Sequence, residues 1–200
     1  MKAMRSGNRY PLLFYRRTMG RIWKATFILG LVVAAAGWWA LLNKTIFLGF
    51  SSDMWLFMVA FLAFAISIFA FIANYLAYVQ AHESYLFIAT PFLRFRISFR
   101  RIRSAHPVLV QQLFPKEKSS WAERSFLDPF YGKTALVIEL NGYPIQPALL
   151  KLFLPAQMFS PRSTGLVLMV SDWMKLSTEF DSLKGAWLQM QSSRMRKARL

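Results

Sequence analysis

The chain has 200 residues, 56% of them hydrophobic and 16% aromatic, and it carries 25 Lys and Arg against 9 acidic residues, a formal charge of +16. This composition argues against a protein that is water-soluble throughout, because a fold of this size has too little interior to hide so much apolar surface. The charge indicates a polyanionic partner, either nucleic acid or an anionic membrane surface, and the absence of cysteine excludes disulfides and thiolate metal sites.

Two uncharged apolar runs account for most of the hydrophobic excess. The first extends from Ala25 to Leu42, which gives roughly 27 Å of helix, close to the thickness of a bilayer core. The second extends from Met54 to Val79 and is long enough to tilt in the bilayer. A cleaved signal peptide is disfavoured because the first run is long and another follows at once. The short connector 43–53 therefore predicts an antiparallel transmembrane hairpin.

Small residues mark one face of each predicted helix and indicate where the two helices touch, since they let backbones approach closely in lipid. The predicted seam comprises Gly30, Ala34, Gly37, Ala63, Ser67, Ala70 and Asn74. We expect Asn74 to hydrogen-bond across this seam. A transport or proton-relay role for Asn74 is the less favoured alternative, because the residue is neutral, isolated and near the helix end.

Basic residues flank the hairpin asymmetrically. Seven precede the first run, from Lys2 to Lys24, whereas the connector has one, Lys44, and a cluster of arginines follows the second run. By the positive-inside rule both termini are predicted to be cytoplasmic, and the protein to be integral to the plasma or inner membrane.

From His82 the pattern changes to the alternation that is typical of β-strands. Strands are predicted over residues 85–89, 93–99, 108–113, 134–140, 149–154 and 165–170. Asn141-Gly142 predicts a tight hairpin turn after the fourth of these strands. The stretch 114–132 lacks periodicity and predicts a long loop. Its aromatic side chains are too many for a solvated linker and are candidates for contact with the domain, the membrane or a partner: Trp121, Phe126, Phe130 and Tyr131.

The last predicted element is an amphipathic helix, for which Ser171 or Asp172 is a suitable cap. Its apolar residues recur at spacings of three and four and form one stripe: Trp173, Leu176, Phe180, Leu183, Trp187 and Met190. We expect this stripe to pack on the sheet, and a helix lying on the membrane surface is the alternative. A basic tail follows over residues 192–200.

This order of elements, with the segments ESYLFI at 83–88 and FRRIRS at 99–104, resembles bacterial membrane proteins in which a pleckstrin-homology-like (PH-like) domain follows a helical hairpin. The resemblance covers residues 20–190. It implies an α+β membrane protein with a transmembrane hairpin, then a mostly antiparallel β PH-like barrel capped by the C-terminal helix. The implied divisions are a basic cytoplasmic segment 1–24, the hairpin 25–79, the PH-like cytoplasmic domain 80–191 and the tail 192–200.

Two interpretations of the basic cluster remain open. The cluster comprises Arg94, Arg96, Arg100, Arg101 and Arg103. These charges either fix the orientation and stay solvated, or contact anionic lipid headgroups, each adding about 1 kcal/mol near the surface. Phosphoinositide-binding PH domains use basic residues on their first two strands. Because the predicted strand 85–89 has none, specific inositol-phosphate recognition is not expected.

No catalytic constellation is evident. His82 and His106 lie in no metal-spacing motif, and the sequence has no phosphate loop or nucleophile elbow. We therefore predict a non-enzymatic protein without a cofactor. The predicted function is a membrane-anchored interaction module that binds protein partners, anionic headgroups or both, and the alternative is an accessory or assembly subunit of a larger membrane complex. Other membrane proteins or self-association are the expected protein contacts. A small transporter and a nucleic-acid-binding protein are less favoured.

Overall fold

The structure is a computed structural model and describes residues 6–43 and 53–197. The predicted connector between the spans and the end of the basic tail lie largely outside these residues. The chain divides into two compact units. One, which we call the helical unit, covers Arg16–Tyr75. The other, which we call the β unit, takes in the described residues up to Tyr15 together with those from Leu76 onward.

Two helices, α1 (Leu13–Asn43) and α2 (Asp53–Leu76), are long and apolar enough to cross a membrane, over Leu13–Leu42 and Met54–Leu76. The first begins well before the predicted run, because the basic segment that precedes the run is also helical. The second ends before the predicted Val79, since the chain from Tyr78 is already a strand. The helical part of the predicted fold class is thereby confirmed in its coarse form.

The first sheet of the β unit has four antiparallel strands in the order β1-β2-β3-β4. They are β1 (Ser6–Pro11), β2 (Tyr78–His82), β3 (Tyr85–Ala89) and β4 (Arg94–Ser98). The predictions for β3 and β4 are confirmed, but β1 was not predicted. It precedes both apolar helices in the chain and pairs with β2 after them, so residues from both sides of the helices share one sheet.

The strand register defines two ends of this sheet. The Pro11 end comprises the neighbouring residues Pro11, Tyr78, Ala89 and Arg94. The Ser6 end comprises Ser6, His82, Tyr85 and Ser98. The chain continues into α1 directly after the first of these ends, at Leu13, and returns from α2 to the same end at Leu76.

The second sheet has three antiparallel strands in the order β5-β6-β7. They are β5 (Ile102–Leu109), β6 (Thr134–Leu140) and β7 (Gly165–Leu168). Leu12 forms a β-bridge with Val170, and the Leu13 amide donates to the Met169 carbonyl at 2.8 Å. These bonds place the end of β7, and with it the Leu109–Thr134 end of β5 and β6, on the same side as the Pro11 end.

The prediction of a tight hairpin turn at Asn141-Gly142 is wrong. The Leu140 amide donates to the carbonyl of Thr164, more than 20 positions later, so β6 pairs with a distant strand rather than with the segment that follows it. The positive φ of 83° lies at Gly132, before β6, and not at Gly142. The strand predicted over 149–154 is also wrong, because most of this stretch belongs to the short helix α5 (Pro147–Phe153).

Short helices occupy the remaining connections. They are α3 (Val110–Leu113), α4 (Trp121–Leu127) and α5 (Pro147–Phe153). The predicted strand 108–113 therefore ends at Leu109, and the predicted loop 114–132 contains a helix. Ser120 starts this helix as a capping box, in which its hydroxyl accepts from the Glu123 amide and the Glu123 carboxylate accepts from the Ser120 amide.

The C-terminal helix α6 (Trp173–Lys197) begins after Asp172, whose Oδ1 accepts from the Lys175 amide at 3.2 Å. Leu176 and Phe180 of the predicted stripe are buried, and α6 packs on β1 and β2 of one sheet and on β5 and β6 of the other. It runs from the Pro11 end toward the Ser6 end, where Trp187 contacts Phe99. The fold is thus α+β, with two antiparallel sheets; the described strands do not close into one barrel.

Candidate interaction surface

The five predicted arginines are all exposed. On β4 they alternate with buried residues: Phe95 and Ile97 enter the core, whereas Arg94 and Arg96 point away from it. This alternation is what a strand with one buried face requires. It leaves two guanidinium groups on the outer face of the first sheet.

The fold divides this cluster between the two ends of the sheet. Arg94 lies at the Pro11 end and Arg96 lies opposite Phe87 in mid-strand. Arg100 and Arg101 form a 3₁₀ turn beyond the Ser6 end. At about 3.3 Å per residue, β4 separates Arg94 from Ser98 by roughly 13 Å, more than one Debye length at physiological salt. The cluster therefore does not act as one charge patch.

An open depression of about 520 Å³ lies beside β4. Its lining combines two cations with apolar side chains: Phe87, Arg94, Phe95, Arg96, Pro144 and Ile145. Guanidinium groups bind phosphate oxygens through charge-assisted hydrogen bonds. This lining suits a small amphiphilic anion, in which a phosphate contacts the arginines and apolar atoms contact the proline and isoleucine.

Arg96 also belongs to a stack on the outer face. Its Cζ lies 5.2 Å from the centre of the Tyr85 ring, which in turn stacks on His82 at 4.7 Å. Burial lowers the pKa of His82 below its usual value, and the positive charge of Arg96 lowers it further. His82 is therefore neutral at pH 7 and adds no charge to this face.

The arginines near the Ser6 end are partly engaged within the protein. Arg101 Nη1 donates to the Tyr143 carbonyl at 3.1 Å, and Arg103 Nε donates to Asn141 Oδ1 at 3.3 Å. Both bonds hold the segment that follows β6. These two side chains consequently have a structural role that Arg94 does not share.

The aromatic residues of the 114–132 stretch also differ in exposure, since some pack within the protein and one faces solvent. Phe126 and Phe130 are buried against Phe14, with ring centres 6.1 and 5.0 Å from it. Tyr131 is half-buried, and Lys116 lies 4.7 Å from its ring centre. Trp121 alone of the four is exposed, with 84% of its surface accessible. Three of the predicted partner residues thus pack within the β unit.

The predicted seam residues mostly lie between α1 and α2. Gly30, Gly37, Ala63, Ser67 and Ala70 are buried, and Ala34 and Asn74 are half-buried.

Close approach explains the glycines in this seam. A Cβ on Gly30 would lie 3.2 Å from the Phe64 ring, and one on Gly37 would lie 3.3 Å from the Leu56 Cβ. Ser67 Oγ donates to the Trp23 carbonyl at 2.9 Å and links the two helices. Asn74 Oδ1 is buried and accepts no hydrogen bond, so the linking bond observed comes from Ser67.

Sequence reasoning missed Phe92, Lys151 and Leu152, which are exposed residues of the β3–β4 turn and of α5. The turn that carries the first was assigned to a loop, and the helix that carries the others was assigned to a strand. The described residues contain no group of three or more His, Asp or Glu side chains placed to hold a metal ion.

No protein-family model matches this chain, and comparisons with curated proteins and with solved structures find no significant match. The function therefore has to be argued from the fold and from the surface just described.

Proposed function

We propose that this protein is a two-span membrane protein whose β unit is a PH-like interaction domain, and that Arg94 and Arg96 bind anionic lipid headgroups at the cytoplasmic face. The observation that carries the proposal is the pair of exposed arginines on β4. They line a depression whose other lining residues are apolar. Two guanidinium groups beside apolar carbon match the headgroup region of an anionic lipid, which joins phosphate to glycerol and acyl carbon.

The order of elements supports the PH-like assignment. In the part of the chain that the structure describes, antiparallel strands in two sheets are followed by a C-terminal helix that packs on both sheets. A mostly antiparallel β domain that ends in a helix is what the resemblance implies. In this chain the two spans stand between the first strand and the second, so the hairpin is an insertion in the β unit rather than a segment before it.

Strand pairing supports a double crossing. Residues 6–11 precede α1, residues 78–82 follow α2, and the two segments pair in one sheet. They must therefore lie on the same side of the membrane, and a chain that crosses at α1 must return at α2. The basic residues on both flanks of the hairpin favour the cytoplasmic side for this sheet.

The arginines differ in their distance, along the sheet, from the point where the chain enters the spans. Arg94 lies at the sheet end from which the chain enters the spans, whereas Arg100 and Arg101 lie beyond the opposite end. Each basic residue close to an anionic surface contributes about 1 kcal/mol, and the contribution falls off within a Debye length. The proposal therefore assigns headgroup binding to Arg94 and Arg96 and not to the other three.

The test uses the full chain in nanodiscs that contain equimolar phosphatidylcholine and phosphatidylglycerol. After transfer to mild detergent, native mass spectrometry counts the lipids of each class that remain bound. The wild type is expected to retain phosphatidylglycerol preferentially, and R94Q/R96Q to lower this preference by about tenfold or more, because two contributions of about 1 kcal/mol are removed.

The matched control is R100Q/R194Q, which removes the same charge from exposed positions beyond the Ser6 end and on the far part of α6. It is expected to change the preference by less than about twofold. Equal retention of phosphatidylglycerol by the wild type and R94Q/R96Q would contradict headgroup binding at this site. Equal losses in both double variants would indicate a general charge effect and would contradict the assignment to β4.

A second candidate function, an accessory or assembly subunit of a membrane complex, is favoured by Trp121. A large aromatic side chain that is 84% exposed is typical of a protein contact. Purification of the intact protein in mild detergent tests this candidate. A stoichiometric partner that is retained by the wild type and lost with Trp121→Ala would support it, and a protein that elutes alone would contradict it.

A further inference from the structure

Exposed apolar side chains of the β unit occur at the Pro11 end. Between α2 and α6, the exposed large hydrophobic residues are Phe92, Leu109, Trp121, Leu149 and Leu152. Phe92 lies in the turn between β3 and β4, and Leu109 is the last residue of β5. Both positions belong to the end of the sheets from which the chain continues into the spans.

Phe92 and the helix α5 meet through the rings of Phe92 and Phe153, and we call this group of residues the ledge: Phe92, Leu149, Lys151, Leu152 and Phe153. The turn that presents Phe92 is rigid, because the Thr90 amide and hydroxyl both donate to the Leu93 carbonyl at 2.8 Å. The Phe92 ring stacks on Phe153, with ring centres 6.1 Å apart.

Helix α5 is oriented by its buried residue. Leu150 is fully buried and holds the helix on the β unit, whereas Leu149 and Leu152 point outward. Leu152 is 73% exposed and Leu149 is 43% exposed. Exposed apolar residues that are grouped together, rather than scattered singly, mark interaction sites.

The charges around the ledge identify the partner. Lys151 is exposed between the two leucines, and Arg94 follows the Phe92 turn. The segments 90–96 and 141–153, which carry these residues, contain no acidic residue. Aromatic and leucine side chains flanked by cations are the pattern of a surface that lies in the interface of a membrane.

We propose that the ledge inserts into the interfacial layer of the same bilayer that holds α1 and α2, and so fixes the Pro11 end of the β unit against the membrane. The inference rests on the membrane location proposed above but not on headgroup selectivity, because the inserted atoms are apolar. Lys151 and Arg94 remain at the level of the phosphates, while Phe92 and Leu152 reach the acyl boundary.

The absence of cysteine from the sequence permits a direct test. Single cysteines are introduced at Phe92, Leu152 and Leu188 in the full chain, labelled with the fluorophore NBD and reconstituted in phosphatidylcholine vesicles. Leu188 is the matched control, since it is 51% exposed, as is Phe92, but lies on α6 next to Trp187 at the Ser6 end. Cysteine at position 92 removes the stack of Phe92 on Phe153, which could change the local structure. Leu152→Cys leaves this stack in place and therefore serves as the second probe.

In these vesicles the labels at 92 and 152 are expected to emit at shorter wavelength than the label at 188. Quenching by aqueous iodide should be several-fold weaker at 92 and 152, and quenching by lipids with a nitroxide near the headgroup should be several-fold stronger. Insertion in phosphatidylcholine alone separates this inference from the headgroup proposal, which depends on phosphatidylglycerol and is tested by R94Q/R96Q.

Three outcomes would overturn the inference. The first is iodide quenching at 92 and 152 equal to that at 188. The second is protection that disappears when the protein is diluted with excess lipid, which would identify a second copy of the chain as the occupant. The third is protection that requires an added protein fraction, which would identify a protein partner.

Discussion

The Pro11 end and the Ser6 end of the β unit both carry exposed arginines but differ in what accompanies them. At the Pro11 end, Arg94 follows the turn that carries the exposed Phe92, which contacts Phe153 of α5. At the Ser6 end, Arg101 and Arg103 are bonded to the segment after β6, and Phe99 packs inward against Phe180. The comparison teaches that arginines which are close in sequence need not form one surface. An extended strand places the residues at its start and those after its end at opposite ends of the sheet.

The largest expected effect concerns the packing beneath the Pro11 end. Phe14 is 1% exposed and contacts Phe126 and Phe130, so Phe14→Ala should lower the free energy of unfolding of the β unit by about 3–5 kcal/mol. Proteolysis of the full chain in detergent, followed across a denaturant series, measures this change. Phe92→Ala, on the surface above, is the control and should cost less than about 1 kcal/mol in detergent.

Unchanged protease resistance of Phe14→Ala would mean that the chain before the spans is not part of the β unit. The comparison between the two ends would then lose its basis, since β1 defines both of them.

The next effect concerns the bonds that tie β1 to the C-terminal helix. The Glu179 carboxylate accepts from the Asn8 amide and from the Tyr10 hydroxyl, both at 2.8 Å. Glu179→Ala should therefore lower the unfolding free energy by about 2 kcal/mol, as expected for hydrogen bonds to a charged group. Asp181→Ala, which removes an exposed acid two positions later, is the matched control, and equal losses in the two variants would contradict this role.

Tyr10 provides a pH-dependent check on the same bonds. Burial, together with the hydrogen bond to Glu179, raises the pKa of Tyr10 from 10.0 to about 12. The folded protein thus holds this proton more tightly than the unfolded chain, and stability should fall as the pH rises from 10 toward 12. Tyr10→Phe should remove this part of the alkaline loss, and an identical pH dependence in the variant would contradict the assignment.

The smallest effect concerns His82 at the Ser6 end. Its pKa is lowered by burial and by Arg96, so the folded state favours neutral imidazole. The contribution is complete above the usual pKa of 6.5 and is lost as the pH falls below it, because the unfolded chain then binds the proton more readily. Unfolding measured from pH 7 to pH 5 should show this loss reduced in Arg96→Gln and retained in the control Arg94→Gln.

The sequence was sufficient for elements that carry their own pattern. Both apolar helices were predictable from composition, and the strand Thr134–Leu140 was predicted with the boundaries it has. The alternation of Arg94 and Arg96 with buried residues identified the outer face of β4. In each case a local pattern and the tertiary structure agree.

Other elements depend on distant partners and could not be predicted. The strand Ser6–Pro11 contains Gly, Asn and Pro and shows no alternation, so only its pairing with β2, after both spans, makes it a strand. Asn141-Gly142 has the composition of a hairpin turn, but β6 pairs beyond it. In α5, Pro147 at the first helical position was an available signal for a helix. The ledge was missed because exposure of Phe92 follows from the fold.

The central proposal is that the chain crosses the membrane twice and holds the β unit on the cytoplasmic side. The most direct test is the labelling of single cysteines by a membrane-impermeant maleimide in intact bacterial cells that express the full chain. The positions are Asn8 before the spans, Ser51 between them and Gln189 after them. The account predicts labelling of Ser51→Cys in intact cells, and labelling of Asn8→Cys and Gln189→Cys only after permeabilisation. Protection of Ser51→Cys, or labelling of either of the other two in intact cells, would contradict it.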